Sequence, residues 1–281
     1  MQHLQVRDRA LAERMVHPDS DVMFAGILAG EHPGEVWVDD MSEPKLAFVW
    51  SYGLGSFYMT GRDEDRFIAR SFNSFLESEI MPFLKKQDVH WIELSADREE
   101  LYASLQQALR NRELHQDWQF VYKEQPFIAG ETMGTGKLAI PSQYRVAEMN
   151  REFIHAVTEG KIGNADFLLG YMLPFWGTME QYLAKGWGYA VLTERQEIAS
   201  IAVSTVQYGG YHNIGVETLE PYRRQGLSGG LVQLLLQKYR RHGIQPWWDC
   251  MEENTASQRT AERAGLSLAF RYKLLWFRFC P

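Results

Sequence analysis

The sequence predicts an α+β fold of three-layer α/β type, a mixed and largely antiparallel sheet flanked by helices. Three observations predict it. Apolar runs with strand-like alternation, punctuated by glycine and proline, occur in both halves of the chain. Amphipathic helical stretches follow those runs. The chain has 281 residues, 45% of them apolar and 23% charged, a balance that buries a sizeable core. Mixed strands and helices in this order suit helices covering a largely antiparallel sheet.

The first half opens with a helix and continues with three β-rich runs, EVWVDD at 35–40, KLAFVWSY at 45–52 and GSFYMTG at 55–61. A long helical pattern over 63–86 places Phe67, Phe72, Phe75, Leu76 and Ile80 on one side, with Asp63, Glu64 and Asp65 as a charged start. VHWIELS at 89–95 reads as a strand, REELYASLQQALRN as a helix, and HQDWQFVYK at 115–123 as a strand. The glycine-rich segment between Pro126 and Pro141 marks a domain boundary, separating an N-terminal α/β domain (1–130) from a second domain (141–281). It is not a P-loop: Gly130 and Gly136 enclose five residues where four are required, and Leu138 follows Lys137 in place of Ser or Thr.

The second half predicts helices at 150–158 and 174–185. An antiparallel pair, WGYAVLTE and EIASIAVSTVQ, then turns at 194–196. HNIGVETL forms the next strand, followed by a glycine turn and a helix to about Arg241. The strand QPWWDCM at 245–251, the helix NTASQRTAERAG and a final β region complete it.

The formal charge of −7, with no basic block, argues against a nucleic-acid partner and favours a cationic small substrate. Cys250 and Cys280 cannot form a disulfide framework and lack the spacing of a zinc site, so no metal is expected. The charged N-terminus does not resemble a signal peptide. The longest apolar run, FLLGYMLPFW at 167–176, is half a bilayer span, so no membrane partner and a cytoplasmic location are expected.

The segment YRRQGLSGGL at 222–231 joins a strand to a helix. The first N–H groups of a helix lack intrahelical partners and carry the positive end of its dipole. Small residues there let a phosphate oxygen reach them. Gly226 removes a Cβ at the closest approach, Ser228 is small, and Arg223 or Arg224 adds positive charge. Each charge–dipole contact contributes ~0.3–2 kcal/mol, so a diphosphate needs several amides and an arginine. A plain strand–helix turn would use the same glycines, and the motif alone does not separate the two readings.

With its context, the second half resembles the GNAT superfamily of acyl-CoA-dependent N-acyltransferases. That family's diphosphate loop, Arg/Gln-x-x-Gly-x-Gly/Ala after a fourth strand, corresponds to Arg223 through Ser228, with Ser in the last small position. WWDCM, Asn254, Ser257 and Ala264-Gly265-Leu266 follow in the family's order. WDC-x-x-x-N-x-x-S together with YRRQGL is most similar to zwittermicin-resistance-type acetyltransferases, which carry an additional N-terminal domain. The resemblance implies acetyl-CoA (coenzyme A) as cofactor, its diphosphate on the 224–229 amides and its pantetheine arm between the fourth and fifth strands. The implied cofactor residues are Thr218, Leu219, Arg223, Arg224, Gln225, Gly226, Leu227, Ser228, Gly229, Asn254 and Ser257, with the Thr218 and Leu219 amides polarising the acetyl carbonyl. The first half has no second such loop, so one CoA site is expected.

Three side chains compete as general base. Asp249 lies in an otherwise bulky apolar strand, where an unpaired carboxylate is expensive. The resemblance also aligns it with a catalytic Glu of some relatives. Glu217 is a carboxylate beside the loop, and His212 starts the same strand with an imidazole that titrates in the useful range. Alternation puts His212 and Glu217 on opposite faces unless a bulge intervenes. Asp249 has an equally simple reading as a hydrogen-bonded or ion-paired core carboxylate, and for Glu217 and His212 a structural role is the simpler reading. The family's general-acid tyrosine position is Ala261, and Tyr222 and Tyr272 are the substitutes. The expected activity is acetyl transfer to a primary amine of a small molecule by direct attack in a ternary complex. Transfer to a protein or peptide amine, and a non-catalytic CoA-binding module, are the alternatives. The acceptor and the oligomeric state, a homodimer included, are open.

Overall fold

A computed structural model of the protein describes residues 1–5, 8–17, 20–64, 66–124 and 140–279. The glycine-rich boundary segment and Cys280 therefore lie outside the described residues. The chain forms two compact units, one of Met1–Gln119 with the chain end from Tyr272 onward, the other of Phe120–Arg271.

Unit 1 contains β1 (Gln2–Leu4), α1 (Ala10–Glu13), α2 (Val22–Leu28), β2 (Gly34–Val38), β3 (Leu46–Ser51), β4 (Ser56–Gly61), α3 (Phe67–Phe75), α4 (Met81–Lys85), β5 (Trp91–Ala96), α5 (Glu99–Ala108) and the start of β6 (His115–Lys123). β2, β3 and β4 are an antiparallel meander, and β5 pairs parallel to β4. The end of the last strand, β12 (Ser267–Arg278), pairs antiparallel with β5 through Leu275↔Leu94. The helix expected over 63–86 is α3 and α4 joined by a π turn at Leu76–Ile80. Pro82 follows that turn and has no N–H to continue the ladder. Phe48, Phe57, Phe72 and Leu94 form the centre of this unit's core.

Unit 2 contains β7 (Arg145–Glu148), α6 (Arg151–Thr158), α7 (Ala165–Trp176), α8 (Met179–Lys185), β8 (Gly188–Leu192), β9 (Ile198–Tyr208), β10 (Tyr211–Thr218), α9 (Leu227–His242), β11 (Gln245–Met251), α10 (Thr255–Arg263) and the start of β12. Its strand order is β6-β11-β10-β9-β8-β7. β7 to β10 pair antiparallel in sequence, and β10 pairs parallel with β11. One helix expected at 174–185 is instead the end of α7 and all of α8. Gly177, with φ 72°, ends α7, and Thr178 restarts the chain by accepting the Gln181 N–H at 3.2 Å. The apolar run 167–176 is thus most of a core helix. Among the described residues no helix is long and apolar enough to cross a membrane.

Side-chain alternation divides the unit 2 sheet into two faces. Ile214, Trp248 and Cys250 pack with Leu227, Leu231, Leu235 and Tyr239 of α9 and Ala261 of α10. On the other face Ala190, Ile201 and Val203 pack with Phe153 of α6 and Leu168, Met172 and Trp176 of α7. Leu231 and Leu235 are fully buried, and each such side chain contributes about 1.5–3 kcal/mol. Gly243, left-handed at φ 69°, closes α9 beyond Arg240, Arg241 and His242. These contacts hold the start of α9 against the end of β10.

Candidate active site

The two central strands of unit 2 part company. β10 and β11 pair over Tyr211↔Gln245, His212↔Pro246 and Asn213↔Trp247, yet β10 continues to Thr218 and β11 to Met251. The result is a slot whose vertex lies at Asn213 and Trp247.

At the open end of the slot, α9 begins at Gly226, whose φ of 76° is left-handed. No side chain caps the helix, so its first amides are left for a ligand. Arg224 also has a positive φ, 62°, an uncommon conformation for a residue with a Cβ. A cleft of about 880 Å³ opens over these amides, bordered by Glu217, Thr218 and the turn on one side and the first two turns of α10 on the other. Arg223, Arg224, Arg259 and Arg263 all line it. The last two, four apart on α10, share a helix face. The sequence reading missed them, because they join the turn only through packing of α10 beside α9.

The expected cofactor residues take distinct positions. Thr218, Arg223, Arg224, Gly226, Leu227, Ser228, Gly229, Asn254 and Ser257 border the cleft. Several are engaged within the protein. Arg223 Nε donates to Thr218 O at 3.0 Å, and its Nη2 lies 3.4 Å from Glu217 Oε1. Tyr144 donates its hydroxyl to Gln225 at 2.8 Å. Asn254 accepts the Ser257 N–H at the start of α10, and Ser257 Oγ accepts from Trp248 Nε1 at 3.0 Å. The Leu219 N–H donates to Ala199 O of β9, whereas the Thr218 N–H donates to the neighbouring Glu217 carboxylate at 3.2 Å.

Of the candidate bases, the structure brings Asp249 and Glu217 together and leaves His212 elsewhere. The extra residue at the irregularity near Asn213 is Thr205 on β9, so β10 alternates regularly. His212 lies on the α9 face, buried, with Nδ1 3.0 Å from Ser204 Oγ and its ring against Tyr239 and Trp187. Glu217 and Asp249 lie on the α7 face, where the Tyr171 phenol packs over Gly215 of β10. A Cβ built on Gly215 would fall 2.3 Å from the Tyr171 hydroxyl. Burial first, then the charges of Glu217 and Asp249, push the Tyr171 phenol well above its ordinary value. It remains a hydrogen-bond donor throughout the neutral range. Tyr171 had no sequence signal, lying in an apolar run and meeting Gly215 only through tertiary packing.

Of the substitute phenols, Tyr222 borders the cleft with its ring edge-on to Tyr144, and Tyr272 donates to Asp21 at 3.4 Å. Ala261 is fully buried. Burial pushes the Cys250 thiol up despite its bond with Ser257, which keeps it neutral. Among the described residues there is no group of three or more His, Cys, Asp or Glu fit to hold a metal.

Residues 13–275, most of this chain, match the profile of GNAT acetyltransferase. The chain belongs to the GNAT acetyltransferase family. It is accordingly an acyltransferase, an N-acetyltransferase by type. One curated relative, the uncharacterized N-acetyltransferase YdfB of Bacillus subtilis, is 23% identical over 244 residues, covering 87% of this chain and 85% of that protein. The fold is similar to a GCN5-related N-acetyltransferase-like protein from Streptococcus suis, with TM-score 0.65 and 20% identity over 97% of this chain and 99% of that one. It is also similar to a tandem GNAT protein from the clavulanic acid biosynthesis pathway, with TM-score 0.61 and 12% identity over 100% and 98% of the two chains. These likenesses agree with the expected α+β fold.

Proposed function

We propose that unit 2 binds acetyl-CoA and transfers its acetyl group to a primary amine of a small molecule, by direct attack in a ternary complex. The observation that carries this reading is the parting of β10 from β11 after Asn213 and Trp247, beside the uncapped amides of α9. Acetyl-CoA supplies an activated acetyl thioester. The amides of Leu227 to Gly229 would hold its diphosphate, with Arg224, Arg259 and Arg263 supplying positive charge. Arg223 would join them by leaving Glu217, from which it is separated at little cost, since exposed ion pairs contribute only about 0–1 kcal/mol.

Asp249 serves as the base. Its Oδ2 is shielded from solvent in the wall of the slot, where an ionised carboxylate favours taking a proton from the attacking amine. The Thr218 N–H donates to the acyl oxygen once the Glu217 carboxylate turns away, because the Leu219 N–H is held by β9. Tyr171, whose raised pKa keeps it protonated, is available as a hydrogen-bond donor near both carboxylates. Placement supplies most of the rate, up to ~7–11 kcal/mol in well-oriented reactions, with the base adding about 10²–10⁴-fold.

One cofactor binds per chain. Unit 1 repeats the order of meander, helical crossover and parallel strand, but differs at each point that matters. β4 and β5 pair to the last residue of β5, Met59↔Ala96, which leaves no slot. The Asp63 carboxylate accepts the Phe67 and Ile68 amides at 2.6 and 3.1 Å, filling the place of an anion. Arg66, at φ 54°, stands at the N-cap where unit 2 has Gly226. We assign the chain to the zwittermicin-resistance-type subgroup on YRRQGL and WDC-x-x-x-N-x-x-S, with residues 1–130 as its additional domain. Steady-state release of CoA thiol with a panel of small amines tests the proposal. Amine-dependent turnover is expected in wild type and a loss of about 10²–10⁴-fold in Asp249→Asn. Undiminished turnover in that variant would remove Asp249 from its role.

A further inference from the structure

On the Asp249 face of unit 2, the Lys123 ammonium stands among three aromatic rings. Its Nζ lies 4.2 Å from the Trp247 ring centroid, 5.2 Å from Phe270 and 5.3 Å from Tyr211. The rings brace one another edge-on, Tyr211 with Trp247 at 6.1 Å and Trp247 with Phe270 at 5.6 Å. Each ring within ~6 Å presents its negative face to a cation, and Trp is the strongest of them. The three together form a cage for an ammonium.

The position of the cage is its second property. Trp247 is the last residue of β11 paired with β10, so the cage sits at the vertex of the slot. Asp249 is two residues further on the same face, about 6.6 Å away by the rise of a strand. Two buried polar atoms at this rung, Asn213 Oδ1 and Trp247 Nε1, have no hydrogen-bond partner among the described residues. Such atoms are costly to leave unmade, and Asn213 Oδ1 can accept a hydrogen bond from an ammonium.

We propose that the Tyr211–Trp247–Phe270 cage is the cation subsite of the acceptor, held by Lys123 in the free protein, and that the acceptor class is small diamines. The proposal rests on the slot being the site of acetyl transfer. One ammonium of a four- or five-carbon diamine replaces that of Lys123 among the rings, and its other end reaches Asp249. There the second ammonium first releases a proton to water; the neutral amine nitrogen then forms a bond to the acetyl carbon and the carbon–sulfur bond breaks. The amine proton passes to Asp249 and then to the departing thiolate, so that amide and thiol are the products. Asp249, two residues beyond Trp247 on β11, supplies the negative charge that draws in a dication.

The test uses the full chain without cofactor. Butane-1,4-diamine and butylamine are titrated calorimetrically into wild type, Lys123→Met and Phe270→Leu, each checked for folding by circular dichroism. Lys123→Met keeps the apolar stem and removes the internal competitor. It should bind the diamine about tenfold more tightly than wild type does, and at least tenfold more tightly than it binds butylamine. Phe270→Leu, at an exposed ring, should weaken diamine binding severalfold. Equal diamine affinity in wild type and Lys123→Met, or no response to Phe270→Leu, overturns the cage. Acetyl-CoA titrated into the same samples separates the two readings. Diamine binding that fails while acetyl-CoA binds overturns the cage alone. Diamine binding without acetyl-CoA binding overturns the slot, and with it the cage's place in an acceptor site.

Discussion

Replacing Gly226 probes the diphosphate site through two separable effects. The residue has φ +76° and nothing within 4 Å of an added Cβ, so alanine fits in space but not in conformation. A left-handed backbone costs a residue with a Cβ roughly 1–2 kcal/mol, and Gly226→Ala should lose about that much stability. Gly226→Glu carries the same backbone cost and adds a carboxylate at the start of α9. Unit 1 shows what a carboxylate does there, since Asp63 takes the Phe67 and Ile68 amides for itself. A charge at a helix start contributes up to ~2 kcal/mol, which a bound diphosphate must displace, and ~2 kcal/mol corresponds to roughly thirtyfold in affinity. Calorimetry with acetyl-CoA should therefore find Gly226→Glu up to roughly thirtyfold weaker than Gly226→Ala, with a melting temperature no lower. Equal affinities in the two variants would mean that the α9 amides do not carry the diphosphate.

The legible parts of the site were those encoded locally. Gly226 and Gly243 mark the two ends of α9 because a left-handed residue is needed at both. Asp63 was readable as a charged helix start, though its bonds to Phe67 and Ile68 were not. The turn, α9, β11 and α10 follow the expected order closely. Arg259, Arg263 and Tyr171 were not legible, because each reaches the cleft or slot through packing of one element on another. Alternation predicted that His212 and Glu217 would face apart unless a bulge intervened on their strand, and the irregularity falls instead on β9 at Thr205. The cage around Lys123 joins residues from β6, β10, β11 and β12, so no window of sequence contains it. The interruption at Gly177 was missed because an apolar run hid a helix end and a new cap at Thr178.

Other consequences follow from particular contacts. Gly215→Ala drives a Cβ to 2.3 Å from the Tyr171 hydroxyl and 2.5 Å from Thr205 Cγ2, so a loss of about 1–3 kcal/mol is expected in denaturant unfolding; an unchanged midpoint would refute the close approach. Ala261→Tyr, which restores the family's tyrosine, meets a fully buried core position; it should lower the melting temperature and leave turnover no higher, and a gain in kcat would contradict this. Burial, then Asp117, pushes the Glu93 carboxyl up to about 7. Its raised value means that the folded protein binds the proton more tightly, so stability falls as pH rises from about 4.5 to 7, by up to about 3 kcal/mol. Glu93→Gln should therefore match wild type near pH 4 and exceed it at pH 8 in urea unfolding, and equal stabilities at pH 8 would refute the assignment.

Native mass spectrometry of the full chain with acetyl-CoA tests the central claim most directly, since it counts cofactors. A single adduct per chain, lost in a folded Gly226→Glu, is the predicted result. No adduct, two adducts, or one that survives the substitution would contradict the assignment of the cofactor to the slot and α9 of unit 2.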